Sequence, residues 1–166
     1  PPRSTLFPYT TLFRSRPLNM NYTFCNNNEA PKSNVAIGYF GNEPNSLLEW
    51  SIFFEAAGVI KSNMHDMLLF LSNCLNTDIS PIGNAIELSY SQTFSNGEGA
   101  YTGLGWFSGV SENGDILHFH NGGTRGFASF IGINETKKYG FVILINSYCM
   151  GEQDNLAFDM FNLLDK

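Results

Sequence analysis

From Met64 to Leu75, apolar side chains recur every three or four positions: Met64, Met67, Leu68, Leu71, Cys74 and Leu75. That spacing gathers them into one stripe of an α-helix and predicts that the stripe faces a core. Asn63 stands where an N-cap belongs. Asp66, three residues on, can reach back to the cap and also suits the positive end of the helix dipole. Thr77 to Pro81 breaks the pattern, and a shorter helix is predicted over 82–88. At the far end a helix over 154–164 is predicted to bury Leu156, Met160, Phe161 and Leu164.

Between these helices the period changes. Residues 95–100 read as a Gly- and Ser-containing link, and four aromatic or β-branched runs follow, at 101–110, 116–119, 127–133 and 139–146. Each predicts a strand. Asn113-Gly114 suits a tight hairpin, and 134–138 a longer one. Phe141 to Ile145 is apolar at every position, which predicts a central strand covered on both faces. Upstream, residues 16–50 are Asn-rich with scattered Pro and Gly and read as extended loop, with 35–40 the best strand candidate. The order of elements gives an α+β fold class, an antiparallel sheet packed with helices.

Pro1 to Ser15 fits none of this. Thr5-Leu6-Phe7 and Thr11-Leu12-Phe13 flank a Pro-Tyr with no cap, helical period or alternation. Pro8, Thr10 and Thr11 interrupt the apolar run that a secretory signal needs. Residue for residue, the stretch is what results from translating a nucleotide string similar to a common short-read sequencing adapter. Residues 1–15 are therefore expected to be an adapter-derived artefact, joined to an internal piece of a gene. Residues 16–166 are expected to be one domain's worth of native chain or less.

Leaving out Arg3 and Arg14 changes 9 basic and 15 acidic residues to 7 and 15, a net charge of −8. An acidic chain without basic clusters argues against nucleic acid as a partner. No apolar run approaches the ~20 residues of a membrane span. Cys25, Cys74 and Cys149 make neither a disulfide framework nor a zinc pattern, and Cys74, on an apolar helix face, reads as a small core residue.

One run carries candidate chemistry: His118-Phe119-His120-Asn121-Gly122-Gly123-Thr124-Arg125-Gly126-Phe127. Three glycines in five residues allow a backbone to approach something closely. Spacing alone also fits an ordinary glycine-rich loop or bulge. A phosphate cradle lacks its helix start and its Lys-Ser/Thr. A metal shared by His118 and His120 lacks a third ligand, and no cofactor is called for.

This run resembles the third motif of the serine β-lactamase-related family, which spans class C β-lactamases, D-alanyl-D-alanine carboxypeptidases, D-aminopeptidases and esterases. That motif reads Lys-Thr-Gly or His-x-Gly, then a small residue, Thr, any residue, Gly and an aromatic. His120, Asn121, Gly122, Gly123, Thr124, Gly126 and Phe127 match it in turn. Gly103-Leu104-Gly105-Trp106 resembles the family's Gly-Leu-Gly-Trp. Ala57-Gly58 through Asn63 and Asp66-Met67 resembles its helix start, and Pro17-Leu18-Asn19-Met20 its Pro-Leu-Gly-Met.

The resemblance implies an incomplete β-lactamase/transpeptidase-like fold and acyl transfer through a serine activated by Lys and Tyr. Gly123 would give one oxyanion-hole N–H, with Gly122 beside it. His120 would be a polar partner of the Tyr, the serine or the substrate, and Asn121, Thr124 and Arg125 would touch substrate. A mostly neutral His120 anchors a carboxylate less well than Lys, which leans towards esters or amides without one. The compartment is open, with periplasm or exterior suggested by the family alone.

No Ser-x-x-Lys occurs in the sequence, and no Tyr is followed two positions on by Asn or Ser. In the family both motifs lie upstream of the part matched. The expectation is a serine-hydrolase fragment, inactive alone, whose missing partner is the amino-terminal half of its own domain. The alternative is a non-catalytic module that uses the Gly-rich loop to bind a peptide or glycan.

Overall fold

The computed structural model describes residues 15–25, 35–45, 58, 60–95, 97, 99–149 and 151–166. The adapter-like residues 1–14 lie outside the described residues. The order is β1 (Gly38–Phe40), β2 (Glu43–Asn45), α1 (Met64–Leu75), α2 (Pro81–Tyr90), β3 (Phe94–Ser95), β4 (Ala100–Thr102), β5 (Phe107–Val110), β6 (Ile116–Thr124), β7 (Phe127–Asn134), β8 (Tyr139–Ile145) and α3 (Glu152–Leu164). β1 and β2 form a hairpin, and β3 to β8 form one sheet in sequence order. The register for β3–β4, β4–β5 and β5–β6 is antiparallel. The α+β architecture is the one the periodicities predict. Among the described residues no helix is long and apolar enough to cross a membrane.

The chain divides into two compact units. The first holds Pro1–Phe70, Gly122–Ser129 and Leu144–Met150; the second holds Leu71–Asn121, Phe130–Ile143 and Gly151–Lys166.

In the second unit the sheet is covered on both faces. Phe119 and Phe130 meet Phe158 of α3 edge-on at 5.3 and 6.1 Å, and Phe141 meets Phe161 at 4.8 Å. On the opposite face Tyr90 of α2 stacks on His118, and its hydroxyl donates to the Cys74 carbonyl of α1. Burial pushes the Cys74 thiol up to about 12, so it is the inert core residue that its helix position predicts. Gly140 is required on β8, since a Cβ there would lie 2.7 Å from the Gly132 carbonyl oxygen. The end of α3 is tied down by Asp165, which accepts hydrogen bonds from Tyr139, Lys137 and Asn134. Burial alone would raise Asp165, yet the Tyr139 and Lys137 bonds hold it below its ordinary range.

In the first unit Asn63 caps α1 by accepting from the Asp66 N–H at 2.9 Å. Asp66 does not return the bond to the cap. Its fully buried carboxylate accepts from the Tyr22 N–H and the Thr23 hydroxyl at 2.7 and 2.8 Å, and so pins the upstream loop to the helix start. A carboxylate at the positive end of the dipole with two such donors is well satisfied.

Several expectations need correction. Met64 and Leu68 are 42% and 48% exposed, so the buried line of α1 is Asp66, Leu71 and Cys74. α3 buries Gln153, Ala157 and Phe161, leaving Leu156 and Leu164 on the outside. The single strand predicted over 101–110 is two, β4 and β5, because Gly105 takes φ +86° and Gly103 N–H bonds the Trp106 carbonyl. The supposed link over 95–100 begins on the last residue of the short strand β3 and ends on the first residue of β4. β8, apolar throughout, is the last strand of the described sheet rather than a central one. Finally, Gly122 and Gly123 are not in a loop: both lie within β6, and only Arg125-Gly126 turns the chain.

Candidate active site

β6 is nine residues long, and its register with β5 ends at the pair Phe107–Phe119. The strand therefore runs on from His120 to Thr124 after its last β5 partner. Backbone groups along a strand point alternately to its two neighbours. The Asp115 carbonyl accepts from Ser111 N–H across the β5–β6 turn, whereas the Ile116 carbonyl accepts from Glu135 N–H on the other side. Continuing that alternation, the odd-numbered residues 117 to 123 address the β5 side. The Gly123 N–H then leaves the strand where β5 no longer runs, and Gly123 is exposed.

Side chains alternate as well. His120 is exposed and stacks on Phe107 at 5.4 Å, and its Nδ1 lies against the Asn121 carbonyl. Asn121 points to the opposite face. Its Nδ2 donates to both carboxylate oxygens of Asp154, at 2.8 and 3.0 Å, in the first turn of α3. The amide that sequence reading assigned to substrate is thus engaged within the fold. Asp154 also supplies negative charge to a helix start where Gly151, at φ +98°, gives no side-chain cap.

Gly122, Gly123, Thr124 and Arg125 belong to the first unit. A Cβ on Gly122 would stand 3.1 Å from Ser129 Oγ. Thr124 is half-buried and its carbonyl accepts from Gly126 N–H, closing the turn. Arg125 is exposed, with its guanidinium carbon 5.8 Å from the centre of the Phe40 ring.

A second polar group lies beneath the motif. His118 Nε2 is 2.9 Å from Glu135 Oε2, and His118 Nδ1 is 2.7 Å from Ser108 Oγ. A carboxylate only accepts, so in the neutral ring Nε2 carries the proton and Nδ1 takes the Ser108 O–H. Both ring nitrogens are committed, which leaves neither for an ion shared with His120. Serine, histidine and carboxylate make the composition of a hydrolytic triad. Ser108 and His118 are, however, 2% and 1% exposed, and the Tyr90 ring covers the imidazole at 4.1 Å. No acyl group reaches Oγ; the three side chains tie β5, β6 and the β7–β8 turn together. Nothing in spacing announced this set, because Ser108 and Glu135 are joined to His118 by the sheet alone.

The family profile described as Beta-lactamase matches residues 13–158. A curated relative, a Beta-lactamase of Yersinia enterocolitica, is 34% identical over 96 residues, covering 55% of this chain and 24% of that protein. Among solved structures, a Beta-Lactamase/D-Alanine Carboxypeptidase from Pseudomonas syringae is similar with a TM-score of 0.78 at 21% identity. That match covers 93% of this chain and 52% of the other. The chain thus spans about a quarter of the first relative and about half of the second.

Proposed function

The chain belongs to the Beta-lactamase family, and from that premise we propose that it is the oxyanion-side part of a longer serine hydrolase that acts through an acyl-enzyme on an ester, amide or peptide. The observation that carries this reading is the exposed Gly123 on a stretch of β6 that outruns β5. In the longer enzyme a serine, relieved of its proton by a Lys–Tyr pair, attacks the substrate carbonyl. Negative charge gathers on the carbonyl oxygen, and the Gly123 N–H donates to it beside the serine's own amide. Collapse of the adduct expels the leaving group, and water repeats the sequence on the acyl-enzyme. Gly122 and Gly123 let the carbonyl come close, and His120 would serve as a polar partner of the Tyr, the serine or the substrate. Asn121, bound to Asp154, holds the strand to α3. On this reading the chain by itself does not turn over substrate, since its sequence has no Ser-x-x-Lys.

Residues 1–15 are read as foreign to the gene, and that makes the test simple. Genomic DNA upstream of the Arg16 codon is expected to continue the reading frame through a Ser-x-x-Lys and a Tyr-x-Asn or Tyr-x-Ser. An in-frame stop directly upstream, with translation starting at Met20, would overturn the proposal.

A further inference from the structure

The turn that follows the glycine run has a built surround in the first unit. Tyr39 N–H is shared between the Gly126 and Asn146 carbonyls, at 3.2 and 3.0 Å. Tyr148 N–H donates to the Tyr39 carbonyl at 2.8 Å, and the Asn45 amide donates to the Arg125 carbonyl. Gly38 and Gly126 pass so closely that a Cβ on Gly38 would stand 2.8 Å from the Gly126 carbonyl oxygen. The β1–β2 hairpin is therefore fixed to the Arg125-Gly126 turn through its backbone, and Phe40 is fixed with it.

Two rings stand open on this platform. Phe40 and Tyr148 are 48% and 44% exposed, with centroids 5.2 Å apart. Arg125 lies over Phe40 within cation–π reach, and among the described residues no acidic side chain pairs with it. An arginine placed over a ring still presents its N–H donors in the guanidinium plane, in the fork that matches a carboxylate. The neighbouring rings offer apolar area beside it.

We propose that Arg125, Phe40 and Tyr148 form a subsite for a carboxylate carried next to an aromatic or flat apolar group. This deepens the reading of β6 as the oxyanion-side strand and rests on it for the identity of the substrate. Arg125 is two residues from Gly123, so their backbones lie within about 7 Å. A carbonyl held at Gly123 and a carboxylate a few bonds away suit an N-acyl amino acid with an aromatic side chain. The carboxylate anchor that His120 does not provide is thereby supplied five residues further on, which reverses the lean towards uncharged substrates drawn from His120 alone.

Binding needs no nucleophile, so the chain is tested as it stands. An isotope-labelled sample is titrated by NMR with N-acetylphenylalanine, its methyl ester and N-acetylglycine. The acid is expected to shift the Arg125 Nε–H and to bind at least about tenfold more tightly than the ester, as a charge-assisted pair requires. N-Acetylglycine, lacking the ring, is expected to bind more weakly than N-acetylphenylalanine. Arg125→Gln is expected to erase the preference for the acid, and Arg125→Lys to keep part of it. Equal affinity for acid and ester, no binding of the acid, or an undiminished preference in Arg125→Gln would overturn the subsite. Shifts at Arg125 without any at the Gly123 amide would uphold the subsite while counting against Gly123 as the oxyanion donor.

Discussion

Exchanging Gly123 for proline in the longer serine hydrolase proposed above is expected to lower kcat and kcat/KM together, by about a hundred- to a thousandfold. Proline removes the backbone N–H and nothing else that could donate. The donor is needed where charge develops, so its loss falls on the transition state and leaves ground-state binding little changed. Position 123 is exposed and lies past the last β5 partner of β6, so the ring does not sever a β5–β6 ladder bond. Gly123→Ala is the control: it keeps the N–H and adds one methyl, and should cost far less. Steady-state hydrolysis of an activated ester by the three proteins makes the comparison. Equal activity of the proline variant and the parent would remove Gly123 from the mechanism.

The second large effect is on stability. Phe161→Ala is expected to cost about 3–5 kcal/mol, read from the shift of the urea unfolding midpoint. Phe161 is 2% exposed, meets Phe141 edge-on at 4.8 Å, and fills the space left by the missing side chain of Gly132. A Cβ on Gly132 would come within 2.7 Å of the Phe161 ring, so ring and glycine are fitted to each other. Since whole domains are stable by about 5–15 kcal/mol, this one truncation takes a large share. Leu163→Ala, at a site 68% exposed on the same helix, should stay within about 0.5 kcal/mol.

The contrast between these two residues shows what the sequence could and could not say. Helical period located α1 and α3, because apolar residues spaced three and four apart meet on one side only when the backbone is helical. It erred on which residues α1 and α3 bury, since Met64, Leu68, Leu156 and Leu164 continue the apolar repeat yet stand exposed. The buried line instead runs through Asp66 and Gln153, polar residues that no hydropathy rule would place inside.

Turn chemistry found the β5–β6 hairpin at Asn113-Gly114, where Gly114 takes φ +85°. The same rules misread Gly122-Gly123, because glycine signals permission for close approach and not the presence of a loop. The candidate site was legible as a motif, His120 to Phe127, and the order of its residues was enough to suggest the family. Its surroundings were not legible. Asp154, Glu135, Ser108 and Phe40 come from 33, 17, 10 and about 85 residues away, brought in by pairing and packing that one sequence does not encode locally.

The most direct test of the account is to incubate the purified chain with a serine-directed phosphonate and record the intact mass. No stoichiometric adduct is expected. The sequence holds no Ser-x-x-Lys, and Ser108, though bonded to His118 and through it to Glu135, is buried, with Tyr90 stacked on His118. One phosphonyl group per chain, mapped to Ser108 or any other serine, would contradict it.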